Sequence, residues 1–350
     1  MSVVINILLF IVILGFIIFI HEFGHFTWAK LRGVYVYEFS MGMGPLIFSK
    51  KIGETEYSLR AIPIGGYCAL AGEDVEYDNN KKIPKNRRLQ NKKPWERFLI
   101  MFFGAGNNFL SAFVILFLIG IIWGGTTLDP MITEVTPGSA ADKAGIVENT
   151  KVLEINGNKI KSSDDISLFL AVADPKEGST FKILGNDGIV EIIRVVPEKT
   201  KIDGKSSYIY GIGMQQEKTH GFVNAVKYMF GKSAALFRQM WVTVKYLFTG
   251  HVSLNQMSGP VGIYSIVGAQ REAGIVSILY LLAFLSINVG FLNLLPLPAF
   301  DGGHILFILI ELLRGKPVDP KIENIIHNVG MALLMLLMLI VTVNDIIKLF

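Results

Sequence analysis

His21-Glu22-Phe23-Gly24-His25 sets two imidazoles four residues apart with a carboxylate between them. On a helix, positions i and i+4 share a face, so both rings can reach one metal ion. Glu22 then stands where it can take a proton from a water that the ion activates. The competing reading is two histidines capping carbonyls at a helix end. A catalytic zinc site usually takes three protein ligands and keeps one position for water, so another segment must supply the third. Asp301 is the first candidate, in Asn293-Leu-Leu-Pro296-Leu-Pro298-Ala-Phe-Asp301-Gly302-Gly303-His304. Its ordinary alternative is an interfacial carboxylate capping the following helix. His304, three residues later, is a rival ligand. Asn293 can hydrogen-bond a substrate carbonyl, or can simply satisfy a broken helix. Two histidines and one carboxylate favour Zn2+ among divalent ions.

The elements that hold these residues are membrane elements. Of 350 residues, 51% are hydrophobic and only 18% charged, against about 25% charged in an ordinary soluble chain, and the mean hydropathy is +0.47. The composition excludes disorder, the single Cys68 excludes a disulfide framework, and a net charge of +4 is too small to argue for nucleic acid. Four segments are long enough to cross a bilayer: Val3 to about Ala29, Phe98–Trp123, Ala273–Phe300, and about Ile325–Phe350. A cleaved signal peptide needs basic residues before its apolar run, whereas here Lys30 and Arg32 follow it. The first segment therefore reads as an uncleaved helix.

The thirteen Lys and Arg from Lys30 to Arg97, clustered in Lys81–Lys93, together with Arg314, Lys316 and Lys321, place the first and third loops inside and the N-terminus outside. The His-Glu motif and Asp301 then reach similar depth near the cytoplasmic face. Pro296 and Pro298 interrupt the third helix at membrane depth, where irregular backbone is tolerated only against protein or water. An intramembrane hydrolase needs such an entry for water.

Residues 129–215 alternate apolar and polar side chains, with turns at Pro137-Gly138, Asn156-Gly157 and Gly185–Gly188, and read as a compact β-rich domain. Ser163-Asp164-Asp165 predicts the start of one short helix through Ala173. Residues 221–250 carry apolar side chains at helical spacing interrupted by Lys227, Lys232, Arg238 and Lys245. This pattern predicts an amphipathic helix on the membrane surface rather than a fifth span. Leu46–Lys50 and Thr55–Ile62 read as short strands around Lys51–Glu54. The edge of such a hairpin can add an unwound peptide through backbone hydrogen bonds.

These motifs resemble the site-2 protease family of zinc intramembrane proteases, in its bacterial regulator-of-sigma form with one PDZ domain. The resemblance covers nearly the whole chain. It rests on His21–His25, on Asn293 to Gly302, and on Ser258-Gly259-Pro260-Val261-Gly262-Ile263. Pro137–Ile146 followed by Val152–Gly157 is similar to a bacterial PDZ domain, departing at Asn149-Thr150, where Gly-Asp is common. Gly104-Ala105-Gly106-Asn107-Asn108 departs at Ala105, where the family often has Pro, and keeps Asn108 as a helix-packing or site-lining residue. Phe39–Pro45 and Ile62–Tyr67 resemble the family's membrane-associated β-hairpin, which makes Gly42, Gly44, Gly65 and Gly66 candidate substrate-binding positions.

The resemblance implies a polytopic α-helical membrane protein of about four spans, with a β-hairpin and one extracytoplasmic PDZ-like domain, in a bacterial cell membrane. The expected parts are a first membrane core (1–124), the PDZ-like domain (125–218), a surface helix and linker (219–272) and a second membrane core (273–350). One Zn2+ is expected on His21, His25 and Asp301, with Glu22 as catalytic base and single-pass membrane proteins in the lipid bilayer as substrates. A membrane scaffold with a structural metal is the first rival and makes Glu22 dispensable. A transporter is the second; it predicts internal repeats, and none is visible.

Overall fold

From Val3 to Ile20 the chain offers no charge, proline or turn signal, and Ser2–Leu31 forms one continuous helix, α1. This computed structural model describes residues 2–73, 83–202, 205–214, 217–250 and 259–347. Lys81 and Lys82 of the basic cluster, and Ser258 of the Gly-Pro motif, lie outside the described residues. After α1 come two long strands, β1 (Val36–Ile52) and β2 (Thr55–Leu70), and a second apolar helix, α2 (Pro94–Ile119). The β-rich segment contributes β3 (Thr150–Ile155), α3 (Ser163–Ala171), β4 (Ser179–Leu184) and β5 (Val190–Val195). Five further helices follow: α4 (Phe222–Phe248), α5 (Pro260–Ala273), α6 (Ile275–Leu294), α7 (Asp301–Arg314) and α8 (Pro320–Ile347). The chain forms two compact units, Met1–Ile115 with Leu254–Phe350, and Leu116–Ser253.

Among the described residues four helices reach the length and apolarity of a membrane span when α2 is taken with its last wide turn: Val3–Leu31, Pro94–Gly124, Ile275–Leu294 and Lys321–Ile347. Their exposed residues include Val4, Leu8 and Val12 on α1 and Leu333, Met335 and Leu339 on α8, a surface that water would penalise and lipid accepts. The third span is shorter than the expected Ala273–Phe300. It ends at Leu294 because Pro296 and Pro298 cannot continue it, and α7 starts afresh at Asp301. The expected linker within 219–272 is partly helical, since α5 packs Val267 with Ile13, Ile17 and Leu281. Asp345 of α8 caps it, Oδ2 accepting the N–H groups of Gly259 and Gly262 at 2.8 Å each.

The hairpin is longer than the two short strands expected. β1 and β2 pair antiparallel, and the first half of β1 is matched twice, Phe39 with both Cys68 and Tyr57, Met41 with both Gly66 and Leu59. Each strand must bend to allow this. The bends fall at Gly42 (φ +83°) and Gly65 (φ +97°), where a side chain would be strained.

In the second unit, β3, β4 and β5 form an antiparallel sheet over a core that includes Ile132, Val152, Ile155, Ile166 and Phe181. The helix expected at Ser163–Asp165 starts one residue earlier. Ser162 is its cap, accepting from the Asp165 N–H at 3.3 Å, while Asp165 Oδ2 accepts from the Ser162 N–H at 3.0 Å. Asn149, standing where Gly is common, adopts φ +62° and so supplies the same left-handed turn. On α4, Lys232 and Arg238 turn inward to Asp164 and Asp165, and Val242 packs on the core. Two of the four basic residues that interrupt the apolar spacing thus take part in a protein contact.

Candidate metal centre

Three side chains that the sequence separates by up to 280 positions meet in the first unit. His21 Nε2 and His25 Nε2 are 3.3 Å apart, and Asp301 Oδ2 lies 3.3 Å from the first and 3.4 Å from the second. His21 and His25 come from adjacent turns of α1, and Asp301 from the first residue of α7. All three are largely buried, His25 at 9% exposure. Donors held at zinc's usual 2.0–2.1 Å on the corners of a tetrahedron are about 3.3–3.4 Å from one another. The spacing of this triangle therefore fits one zinc ion with its fourth corner left over.

The ring orientations agree with that use. His25 Nδ1 donates to the Ile100 carbonyl at 2.9 Å, which leaves Nε2 with its lone pair toward the triangle. His21 Nδ1 faces the side-chain amide of the fully buried Asn108 at 3.5 Å. Asn108 Nδ2 is the atom that faces the ring, and its Oδ1 is without a partner among the described residues. The two helices approach closely because of two glycines. A Cβ on Gly24 would overlap the Phe103 carbonyl, and one on Gly104 would overlap the His25 ring and come within 3.0 Å of Asp301 Oδ2. Trp28 and Phe103 stack at 4.2 Å beside this contact.

Glu22 points to the hairpin side of α1, where its side chain packs against Gly66 of β2 and lies near the Cys68 N–H. Among the described residues it is the one titratable group lining a cavity of about 350 Å³ whose other walls include Phe16, Phe19, Phe39, Met41, Gly42 and Gly65. An apolar cavity with a single carboxylate suits a hydrophobic peptide segment better than a soluble polar ligand.

A description of Peptidase family M50 matches residues 9–337. The chain belongs to this family, the site-2 protease family. Among relatives of this peptidase, a protein of Fusobacterium nucleatum subsp. nucleatum is 39% identical over 351 residues, covering 98% of this chain and 99% of its own. The regulator of sigma-W protease RasP of Bacillus subtilis is 32% identical over 420 residues, with 99% of each chain covered. The zinc metalloprotease RasP of Geobacillus kaustophilus is 32% identical over 418 residues, covering 99% and 98%.

The candidate residues of the peptidase do not all meet. His21, His25 and Asp301 converge; Gly42 and Gly65 line the Glu22 cavity; Gly66 packs against Glu22, which a Cβ there would approach at 3.4 Å. Gly44 sits on the exposed outer part of the hairpin, its carbonyl held by Arg60 at 2.9 Å. Asn293 lies in the last turn of α6, two residues before the broken stretch rather than on it, and joins neither the donor triangle nor the described lining of the cavity. His304 belongs to a different cluster, with Glu323 and His327. Reading the sequence alone missed the Ile100 carbonyl and Gly104; the Gly-x-Gly in the second span was the available signal for a close helix contact.

Proposed function

We propose that this member of the site-2 protease family is a zinc-dependent endopeptidase that cuts single-pass membrane proteins within their spanning segments. The observation that carries the reading is the 3.3–3.4 Å donor triangle in the C-terminal half of a spanning helix, beside a carboxylate that opens into an apolar cavity. His21, His25 and Asp301 would hold the ion, and zinc supplies Lewis acidity to the site. Glu22, packed against Gly66 and near the Cys68 N–H, takes the proton of the attacking water and returns it to the leaving amine. One of the two halves of β2 that flank Phe39–Met41 has a free edge and receives the unwound substrate as an added strand, with Gly42, Gly44, Gly65 and Gly66 as candidate substrate-binding positions. Asn293 remains a candidate for the substrate carbonyl. Substrates of the class implied are anti-sigma factors or signal-peptide remnants.

The site faces the cytoplasmic side of a bacterial membrane in this reading, and residues 125–218 form a PDZ-like domain outside. The basic loop from Lys30 to Arg97 supports that orientation. Labelling tests it. In a Cys68→Ser background, Asn186→Cys is expected to react with a membrane-impermeant maleimide on intact spheroplasts, and protection until lysis would reverse the orientation.

The deciding experiment compares cleavage of a tagged single-pass reporter by the native chain and by Glu22→Gln, with zinc content measured in both. Loss of cleavage with zinc retained is expected. Equal cleavage by both would remove Glu22 from the mechanism, and no cleavage of any reporter by either would favour a scaffold.

A further inference from the structure

The segment Leu295–Phe300 has to deliver Asp301 to the histidines without help from a helix. Its geometry is unusual at Ala299, which adopts φ +74°. Among the described residues only Asn149 and Asn156 share a positive φ without being glycine, and asparagine tolerates that region where alanine does not. An alanine in this conformation must be held there by its surroundings.

The holding group is on α8. The Ala299 N–H donates to His327 Nδ1 at 3.2 Å. Glycines bring the loop close enough for this bond: a Cβ on Gly330 would overlap Pro298, and one on Gly303 would come within 2.6 Å of the Leu297 carbonyl and 3.1 Å of His327 Cε1. The His327 ring is itself fixed. His304 stacks on it at 3.9 Å with planes 15° apart, and His304 Nδ1 donates to Glu323 Oε1 at 3.2 Å.

We infer that His327 is a positioning residue for Asp301, acting through the backbone of Ala299. The inference rests on the reading of Asp301 as a zinc ligand. When His327 stops accepting from Ala299, residue 299 is free to return to negative φ, and the chain two residues on is aimed elsewhere. His304, Glu323 and His327 also place three donor atoms within 4.8 Å of one another, as a cation site would. The hydrogen bond to Ala299 argues against that use. It occupies the Nδ1 lone pair, so the neutral ring carries its proton on Nε2 and has no lone pair left for an ion.

The experiment uses the full chain in detergent, with zinc affinity read by chelator competition and cleavage read as kcat and KM separately. His327→Phe keeps a ring against His304 and removes the acceptor. It is expected to weaken zinc retention about 10–100-fold, the range for groups that orient a ligand, and to lower kcat with KM little changed. His327→Asn, whose Oδ1 can take the place of Nδ1, is expected to recover part of the loss. Ala299→Gly in the His327→Phe background is expected to recover part as well, because glycine holds a positive φ without a partner. Wild-type zinc retention in His327→Phe overturns the inference, as does a His327→Asn defect equal to that of Phe with no rescue by Gly. Two zinc ions per wild-type chain would show the cluster to be a second site. A wild-type chain that binds no zinc overturns the protease reading first and this inference with it, whereas normal wild-type affinity with indifferent variants overturns this inference alone.

Discussion

In the unit Leu116–Ser253, Lys232 Nζ lies 2.7 and 2.8 Å from the two oxygens of Asp164, and Arg238 reaches Asp165 at 3.1 Å. These charges meet their opposites inside the protein, with hydrogen bonds to spare: Arg238 also donates to Ser162 Oγ, and Asp165 closes the cap of α3. In the other unit, His21, His25 and Asp301 crowd three donor atoms into a triangle. Among the described residues Asp301 Oδ2 has no well-formed hydrogen bond. A closed network stabilises a fold and needs nothing more. An open one at membrane depth leaves polar groups that only a further ligand can satisfy. The difference separates the structural charges of this chain from those proposed to hold zinc.

The sharpest way to break that contrast is to close the triangle by force. Gly104→Ala puts a methyl group against the His25 ring and near Asp301 Oδ2. Zinc retention and reporter cleavage are both expected to fall by about 100-fold or more, beyond the usual effect of disturbing a ligand's support. Gly106→Ala, on the same helix, meets only the flexible rings of Phe102 and Phe103 at 3.2 Å and beyond, and serves as the control. Metal analysis of both variants at matched helix content decides it; full zinc in Gly104→Ala would mean that the ligands are not where the triangle puts them.

What could be read from the sequence follows from the range of each interaction. His21 and His25 were legible as a pair because a helix fixes their spacing locally, and Asp301 as a candidate because it is the first charge after the uncharged run Ala273–Phe300. The Asn156-Gly157 turn announced itself in the same local way, with φ of +49° and +76°. Lys232 and Arg238 read in the sequence only as interruptions of an apolar helix, because their partners stand 68 and 73 residues away. His327 carried a signal that was available, an ionisable residue opening an apolar span. Its target, a backbone N–H on another segment, has no side-chain signature. The Cα approach at Gly104 is likewise a property of two helices and not of either sequence.

A middle-sized effect probes the closed network. Lys232→Met leaves the Asp164 carboxylate without its cation, and unfolding of the second unit is expected to become easier by about 1–3 kcal/mol. Adding Asp164→Leu removes the stranded charge and is expected to recover most of that loss, since an apolar pair of similar size replaces an ion pair at little cost. Thermal melts of the two variants measure the coupling. Zinc content stays at the wild-type level in both, because neither residue belongs to the triangle. Additive losses would mean that the 2.7 Å contact contributes nothing.

The smallest effect concerns the tip of the hairpin, where a third arrangement combines closure with exposure. Glu54 accepts both arms of Arg87 at 2.7 Å and Lys30 at 2.7 Å, and its backbone carbonyl takes the Tyr35 hydroxyl at 3.1 Å. The Arg87 guanidinium, with Lys30 beside it, pulls the Glu54 carboxyl down to about 2. A depressed carboxylate stabilises the folded state above its ordinary value of 4.5, and that contribution fades as pH falls from there toward 2. The clamp is therefore intact at neutral pH and weakens only in acid. Protease nicking between Ile52 and Thr55 is expected to be slow at pH 6 and to quicken as pH falls below about 4.5, using an acid-active protease and correcting for its own profile. Glu54→Gln is expected to nick faster at pH 6 and to show no further acid step. Because the pair is about one-third exposed, solvent weakens it, and the effect on cleavage of a membrane reporter at neutral pH is expected to stay within about twofold. A larger loss would mean that the tip clamp holds the substrate edge of the hairpin in place, and that the exposed charges here act on function as directly as the buried ones.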